Sequence, residues 1–288
     1  MTTPRWQNDV METLGVTGAT GAIGGRTAQI LAEAGLEQRL LVRSPERAPH
    51  LTGTTAVPFE YGREDLVVPA LQGVDVLLFV SAHEGPDRLA EHRTVIDAAA
   101  AAGVRHIVYT SYVSAAPDAV FTLARGHFAT EQMLAGSGLA TTILRDNMYI
   151  DFAEHLAGPD GVIRGPAGDG RAAMVARADI AEVAAAVMRR CDEFAGRTLQ
   201  MTGPEALGLG PVAELLTRAT GRPISYHDQT VEEAYRSREV YGAPDWEVDA
   251  WVSTYLAMAA GQLDEVSDDV AAVLGREPLC LSAFLGLS

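Results

Sequence analysis

Three glycines, spaced three residues apart, lie between two stretches with different hydrophobic patterns. Gly18, Gly21 and Gly24 follow an apolar run at 13–17 and lead into a helical pattern at 23–34. In a strand–turn–helix unit the first glycine permits the tight turn, the second lets the backbone approach a pyrophosphate, and the third lets helix and strand pack closely. Free N–H groups at the start of the helix attract the phosphates. Spacing and context together predict a dinucleotide site rather than an ordinary turn.

An arginine ends the second apolar stretch of the chain, at residues 39–43. A carboxylate at the end of this strand would bind the ribose 2′-hydroxyl of NAD, whereas an arginine suits the 2′-phosphate of NADP. Arg43 therefore favours NADP(H) as the cofactor. NAD(H) stays open, because an arginine on the surface after a strand needs no ligand.

Apolar stretches of strand length alternate with helical patterns over the first 200 residues, which is typical of repeated βα units and a parallel sheet. Strands are expected at residues 13–17, 39–43, 56–60, 74–81, 106–111, 141–145 and 198–202. Helices are expected at 23–34, 88–102, before the glycines at 136–138, and at 178–190. The chain after residue 210 indicates mostly helices, with one short strand at 224–227.

This order of elements predicts an α/β fold, a Rossmann-type doubly wound parallel sheet with a smaller, mostly helical C-terminal substrate lobe. The dinucleotide-binding domain is expected at residues 11–148 and 173–206, and the lobe at 149–172 and 207–288. Ligands of open α/β sheets bind beyond the carboxyl ends of the strands. We therefore expect the lobe to fold over that edge.

All 22 basic residues of the Lys and Arg classes are arginine, so the chain contains no lysine. This excludes a Schiff-base mechanism, a Walker A phosphate lysine, and the Tyr-x-x-x-Lys pair of typical short-chain dehydrogenases. The formal charge of −16 repels phosphate backbones and anionic lipid, so neither nucleic acid nor a membrane is expected as a partner. A small-molecule enzyme fits this charge, and a homodimer stays open.

Two cysteines, Cys191 and Cys280, lie far apart, and the histidines show no HxH or HxxxH spacing beside carboxylates. Neither a disulfide framework nor a metal site is predicted. No apolar run approaches the roughly 20 residues that span a bilayer. The polar start at 1–10 lacks the form of a signal peptide, and a loose tail could precede a structured part beginning at Met11. These features favour a cytoplasmic location.

Several segments, in this order, carry a resemblance to a known family. They are VTGATGAIGG at 16–25, LLVRSPERA at 40–48, ALQGVDVLLFVSA at 70–82, VIDAAAAAGVRHIVYTS at 95–111, ILRDNMYIDF at 143–152 and RADIAEVAAAVM at 177–188. With them the chain resembles the NmrA-like, atypical branch of the short-chain dehydrogenase superfamily, and it looks closest to bacterial NAD(P)H:quinone oxidoreductases of that branch.

The resemblance implies a sheet of strand order 3-2-1-4-5-6-7 with the cofactor across its carboxyl edge. It implies that the pyrophosphate is held by Gly18, Thr20, Gly21, Ala22, Ile23 and Gly24. It places Arg43 at the adenosine ribose, and Glu60 and Tyr61 near the adenine. The ribose side would be lined by Val80, Ser81 and Ala82, and the nicotinamide surrounded by Thr110, Ser111, Tyr112 and the segment from Arg145 to Asn147.

Where the typical family has its Tyr-x-x-x-Lys, this chain has His127 and Glu131. Both proton-handling residues are thus replaced. His127 could bind the cofactor or donate a proton, since the unperturbed pKa of histidine is about 6.5. A structural hydrogen bond from a helix is an equal alternative for His127. Tyr112, just beyond the fifth strand, is a second candidate proton donor.

Flat or polarizable side chains follow the sixth strand and are expected to face the reactive end of the cofactor. They are Asn147, Met148, Tyr149 and Phe152. Such side chains suit a planar aromatic substrate, although core packing of a helix would also use them. Trp246 and Trp251 on a helix of the tail could roof the pocket, and Asp179 is expected to cap the helix at 178–190.

These residues favour NAD(P)H-dependent reduction of a quinone or a polycyclic aromatic ketone. A quinone needs less acid assistance than a simple ketone, because its reduced anion is delocalised. A tailoring step in aromatic polyketide biosynthesis would be one setting.

The alternative is an NmrA-like redox-sensing regulator that binds NAD(P) without turnover. The missing Tyr/Lys pair favours the regulator, whereas the aromatic segment after Arg145 favours the enzyme. A third possibility, a nucleotide-sugar epimerase or dehydratase, is weakened by the same missing pair.

Overall fold

A seven-stranded parallel sheet forms the centre of the computed structural model, which describes residues 12–287. The strands of the chain are β1 (Leu14–Thr17), β2 (Gln38–Val42), β3 (Thr54–Pro58), β4 (Val76–Phe79), β5 (His106–Tyr112), β6 (Ala140–Asp146), β7 (Val162–Gly165), β8 (Arg171–Ala172), β9 (Thr198–Met201), β10 (Leu207–Gly208) and β11 (Ser225–Asp228). The large sheet has the order β3-β2-β1-β4-β5-β6-β9. The predicted fold class and strand order are therefore confirmed. Residues 1–10, Met11 as the start of the first domain, and residue 288 lie outside the described residues.

Helices cover both faces of this sheet, and further helices lie in the tail outside it. They are α1 (Ala22–Glu33), α2 (Glu64–Leu71), α3 (Arg88–Ala102), α4 (Thr122–Ala135), α5 (Arg177–Arg189), α6 (Cys191–Phe194), α7 (Leu209–Thr220), α8 (Val231–Arg238), α9 (Asp245–Ala259), α10 (Asp269–Leu274) and α11 (Leu281–Phe284). In the described part of the chain, three short 3₁₀ segments occur at Pro45–Arg47, Ile150–His155 and Glu239–Tyr241. Within residues 12–287, every helix is too short or too polar to cross a lipid bilayer.

Alternate residues of the central strands enter two different apolar cores. On β4, Leu78 packs with α1 and α5, whereas Leu77 and Phe79 pack with α2, α3 and α4. Side chains of a strand alternate between the faces of a sheet, so a strand covered on both faces must be apolar throughout. This explains the continuous apolar run in the sequence. The strand ends at Phe79 rather than Ser81, because the N–H of Val80 turns to the Thr17 hydroxyl.

The turn-rich segment after β6 and the chain after β9 build a third core. Two small sheets join them, since β7 pairs in parallel with β11 and β8 pairs antiparallel with β10. Ile163, Met174, Leu216 and Met258 are buried in this core. The helical tail is thereby tied to residues that lie close to the end of β6.

Two features of the tail differ from the sequence predictions. Asp179 does not cap α5, whose N-cap is Ala176; its carboxylate accepts hydrogen bonds from the Leu279 N–H at 2.7 Å and Arg276 at 2.8 Å. Asp179 thus fastens the C-terminal segment to α5. Helix α10 packs its buried Val270 into the core of the large sheet, although the sequence assigned it to the lobe. The remaining domain boundaries stay a prediction.

Candidate active site

The glycine loop between β1 and α1 has the backbone geometry that the sequence pattern requires. Gly18 has a φ of +61°, and a Cβ on Gly24 would lie 2.5 Å from the carbonyl oxygens of Thr17 and Gly18. Neither position accepts another residue without a shift of the backbone. Helix α1 begins after Gly21, and its first N–H groups have no intrahelical partner. Thr20, Gly21 and Ala22 are exposed, whereas Ile23 and Gly24 are buried against the strand. The loop fits a pyrophosphate.

Two exposed arginines follow β2, the strand beside the glycine loop. Arg43 follows β2, and Arg47 lines a groove of about 360 Å³ together with Thr20 and Gly21. Neither guanidinium forms an ion pair with a carboxylate among residues 12–287. Both are thus available to the 2′-phosphate of NADP(H). The sequence pattern pointed to Arg43 and missed Arg47, four residues later.

The residues expected near the adenine and ribose are held by the protein itself. Tyr61 donates a hydrogen bond from its hydroxyl to the Val80 carbonyl at 2.7 Å, and Glu60 is exposed. The backbone N–H of Ser81 donates to the Thr110 hydroxyl, and that of Ala82 donates to His92, each at 2.9 Å. These contacts fix the loop after β4 and leave the Ser81 side chain on the wall of a cavity.

That cavity, of about 800 Å³, lies at the carboxyl ends of β4, β5 and β6. The sequence-predicted residues on its wall are Ser81, Ser111, Tyr112, His127, Asn147, Met148, Tyr149 and Phe152. The lobe contributes Trp251, which the sequence also suggested, and adds Arg238, Tyr241, Thr254 and Tyr255. Trp246 lies outside the wall and is 38% exposed. Most of the wall is aromatic or aliphatic, which suits a flat apolar ligand.

His127 is buried and both of its ring nitrogens are engaged. Arg88 donates to Nε2 at 3.0 Å, so the ring proton sits on Nδ1 and is donated to the Tyr109 oxygen at 3.1 Å. Burial, Arg88 and His92 hold the pKa of His127 well below its ordinary value. The ring is therefore neutral at physiological pH. This geometry favours the structural alternative over a proton-donor role for His127.

Arg88, at the start of α3, is a buried cation that the sequence did not reveal. Its Nη1 pairs with the Glu84 carboxylate at 2.9 Å, and Glu84 lines the cavity. Its Nε is buried without a hydrogen-bond partner among the described residues. Burial raises the pKa of Glu84, and the Arg88 charge partly opposes that rise. The pair places a compensated charge beside the loop after β4.

Glu131 on α4 binds two of the predicted cofactor residues. Arg145 binds it with Nε at 2.9 Å and Nη2 at 2.6 Å, and the Ser111 hydroxyl donates to it at 2.6 Å. Ser111 still lines the large cavity, whereas Arg145 faces a separate, smaller one. The guanidinium expected at the nicotinamide is thus neutralised by a carboxylate.

Tyr112, Asp146 and Tyr149 form a buried acidic cluster at the ends of β5 and β6. The Tyr149 hydroxyl donates to Asp146 Oδ2 at 3.0 Å, while Oδ1 is buried without a partner among the described residues. Burial raises the pKa of Asp146 well above its ordinary value, and the Tyr149 hydrogen bond offsets this only in part. Burial and the Asp146 carboxyl raise the pKa of Tyr112 as well. All three groups therefore hold their protons more tightly than in water.

Some residues after β6 hold the surrounding backbone in place, and others form the surface of the cavity. Asn147 is buried, donates to the Leu263 carbonyl at 2.9 Å and accepts from the Met148 N–H at 2.7 Å. Phe152 is 48% exposed at the cavity, with the Arg177 guanidinium 4.7 Å from its ring centroid. Among residues 12–287 no cluster of three or more His, Cys, Asp or Glu side chains could hold a metal ion.

Comparison with known proteins gives concordant matches. Residues 18–190 match the profile of a family described as NAD(P)H-binding. Quinone oxidoreductase 2 of Escherichia coli strain K12 is 33% identical over 276 residues, covering 93% of this chain and 96% of that protein. An NAD(P)H azoreductase of Xenophilus azovorans is 31% identical and covers 93% of this chain and 95% of that protein.

A solved structure extends the similarity to three dimensions. The NADPH-dependent quinone oxidoreductase of Escherichia coli, complexed with NADPH, superposes with a TM-score of 0.87 at 32% identity. The match covers 95% of this chain and 98% of that chain. The similarity includes the lobe as well as the large sheet.

Proposed function

The chain belongs to the NAD(P)H-binding family, in its NmrA-like branch, and is an NAD(P)H-dependent oxidoreductase; we propose that it reduces a quinone or a polycyclic aromatic ketone. The observation that carries the proposal is the aromatic cavity at the carboxyl ends of β4, β5 and β6. Relatives named quinone oxidoreductase and azoreductase act on flat, conjugated acceptors, and this wall suits such a ligand. A tailoring step in aromatic polyketide biosynthesis is the setting we propose.

The cofactor proposed is NADP(H), with NAD(H) as the alternative. The free N–H groups of the glycine loop would hold the pyrophosphate, and Arg43 and Arg47 would bind the 2′-phosphate. When bound, NAD(P)H supplies a hydride to the acceptor, which also takes up a proton. Ser81 and Ser111 line the cavity and would lie between the cofactor and the acceptor.

Tyr112 is the group we propose as hydrogen-bond donor to the acceptor oxygen. It lies on the cavity wall, its ring packs 4.8 Å from the Phe121 ring, and its raised pKa keeps the hydroxyl protonated at neutral pH. His127 would act as a neutral, fixed wall residue beside it, with ring centroids 6.3 Å apart. A reduced quinone delocalises its charge, so a hydrogen bond from a weak acid serves where a simple ketone would need a stronger one.

Oxidation of NADPH and NADH at 340 nm with a panel of simple and polycyclic quinones tests this proposal. We expect turnover that is faster with NADPH and selective among the acceptors. Tight cofactor binding without turnover across the panel would instead support the alternative, a redox-sensing regulator. A cytoplasmic location, a homodimer and the absence of a nucleic-acid partner stay predictions from the composition.

A further inference from the structure

A buried arginine lies on the lobe side of the cavity. Arg238 is the last residue of α8, is only 8% exposed, and contributes to the cavity wall. It forms no ion pair with a carboxylate among residues 12–287, whereas Arg236 on the same helix pairs with Glu232 at 2.6 Å. A buried charge without a counter-charge is costly, so its other contacts decide what it does.

Carbonyl and amide oxygens hold the guanidinium in place without neutralising it. Nη1 donates to the Ala234 carbonyl at 2.8 Å and more weakly to Gln229 Oε1 and the Ser237 hydroxyl, at 3.4 and 3.3 Å. Nη2 makes one long bond of 3.4 Å to the Arg164 carbonyl, and the guanidinium also interacts with the Tyr255 side chain. These carbonyls and the negative end of α8 offset part of the charge. The edge formed by Nε and Nη2 keeps free donors.

Strand β7 positions both Arg238 and its aromatic neighbour. The Arg164 carbonyl accepts from the guanidinium, and a Cβ on the next residue, Gly165, would lie 2.3 Å from the Tyr255 ring. Only glycine leaves room for Tyr255 there. The guanidinium carbon of Arg238 lies 5.4 Å from the Tyr255 ring centroid, and both side chains line the cavity. The strand thus builds a fixed cationic corner on an aromatic wall.

We propose that Arg238 binds an anionic group on the aromatic acceptor, with a planar carboxylate as the best match, so that the enzyme selects acidic over neutral aromatic substrates. The inference rests on the proposed function for the aromatic part of the ligand. A guanidinium edge with two parallel N–H donors fits the two oxygens of a carboxylate. Glu84, the carboxylate on the wall after β4, is engaged by Arg88, and Arg238 lines the cavity without a carboxylate partner among residues 12–287.

Paired ligands test the anion site separately from reduction. Anthraquinone-2-carboxylate and its neutral counterpart anthraquinone-2-carboxamide are titrated into the protein with NADP⁺ present, and binding is followed by quenching of tryptophan fluorescence. We expect the carboxylate to bind at least about tenfold more tightly, since hydrogen bonds to a charged group are stronger than those to a neutral one. Arg238→Met is expected to remove this preference and to leave binding of the amide within about threefold. Equal binding of both ligands by the unaltered protein would overturn the inference.

Two further variants serve as controls for this experiment. Arg236→Met removes an exposed arginine from the same helix and is expected to change neither affinity. Arg238→Lys keeps the charge but loses the two-donor edge, so it should retain only part of the preference if Arg238→Met does not fold. With a carboxylated quinone as substrate, loss of Arg238 should raise KM far more than it lowers kcat. Selective binding of the carboxylate without turnover of any quinone would refute the proposed function and leave the anion site standing.

Discussion

Replacing Asp146 by asparagine is expected to stabilise the protein increasingly as the pH rises. Asp146 is 1% exposed, and its Oδ1 has no partner among the described residues. Burial raises the pKa of its carboxyl in the folded state well above the ordinary value of 3.8. The unfolded chain ionises near that ordinary value, so above it the unfolded state binds fewer protons than the folded state. The folded state therefore loses stability as the pH rises, until its own carboxyl ionises.

The size of this effect follows from proton linkage. Within the window between the unfolded and folded pKa values of Asp146, one proton difference changes the free energy of unfolding by about 1.4 kcal/mol per pH unit. Asp146→Asn removes the titrating group and keeps an oxygen to accept the Tyr149 hydrogen bond of 3.0 Å. The free energy of unfolding of the variant should exceed that of the unaltered protein only slightly near pH 4. Above pH 4 the difference should grow by about 1.4 kcal/mol per pH unit.

Urea unfolding followed by tryptophan fluorescence, from pH 4.5 to pH 8, measures the difference directly. The difference between variant and parent excludes the contribution of the buried histidines to the pH dependence of unfolding, because both proteins contain them. His92 is one of these, and burial lowers its pKa to about 3. Asp97→Asn, the same substitution at an exposed position on α3, is the matched control. A difference between Asp146→Asn and the parent that stays flat over this range would refute the assignment of a neutral buried carboxyl.

Three further changes test other parts of the site. Arg43→Asp should move the ratio of kcat/KM for NADPH over NADH at least about tenfold towards NADH, by loss of a charge-assisted contact; an unmoved ratio would discard the 2′-phosphate assignment. Tyr112→Phe should lower kcat with a quinone about tenfold or more while the Kd for NADPH stays unchanged; an unchanged kcat would remove Tyr112 as donor. Glu131→Gln should lower the free energy of unfolding by about 3 kcal/mol or more, because it leaves Arg145 without its counter-charge; calorimetry or urea unfolding would show it, and a neutral result would contradict the pairing.

The glycine loop was predictable because its backbone geometry restricts which residue types can occupy two of its positions. Gly18 needs a positive φ and Gly24 needs the absence of a Cβ, and no other residue satisfies either demand at low cost. The central strands were predictable for a similar reason, since burial on both faces forces continuous apolar runs. Helix α2 was missed because its eight residues include Pro69 and show no strong periodic pattern.

The chemistry of individual side chains was less predictable, since it depends on neighbours that are distant in sequence. The type and position of His127 suggested a proton donor, but its state depends on Arg88, which is 39 residues away. Arg145 suggested a cation at the cofactor, and Glu131 neutralises it from the preceding helix. Arg238 carries no local signal at all, because its role arises from β7 and α9 meeting at the cavity.

The carboxylate of Glu131, in place of a cation, sets the electrostatics beside β5. A lysine at this position would place a positive charge beside β5 and would favour an ionised tyrosine. Glu131 instead pairs with Arg145 and accepts a hydrogen bond from Ser111. Burial and the nearby Asp146 carboxyl raise the pKa of Tyr112, so its side chain is held as a neutral phenol. Such a phenol can donate a hydrogen bond but is a poor base for removing a proton from an alcohol. The site is therefore suited to reducing delocalised acceptors, and the guanidinium of Arg238 is free to select among them.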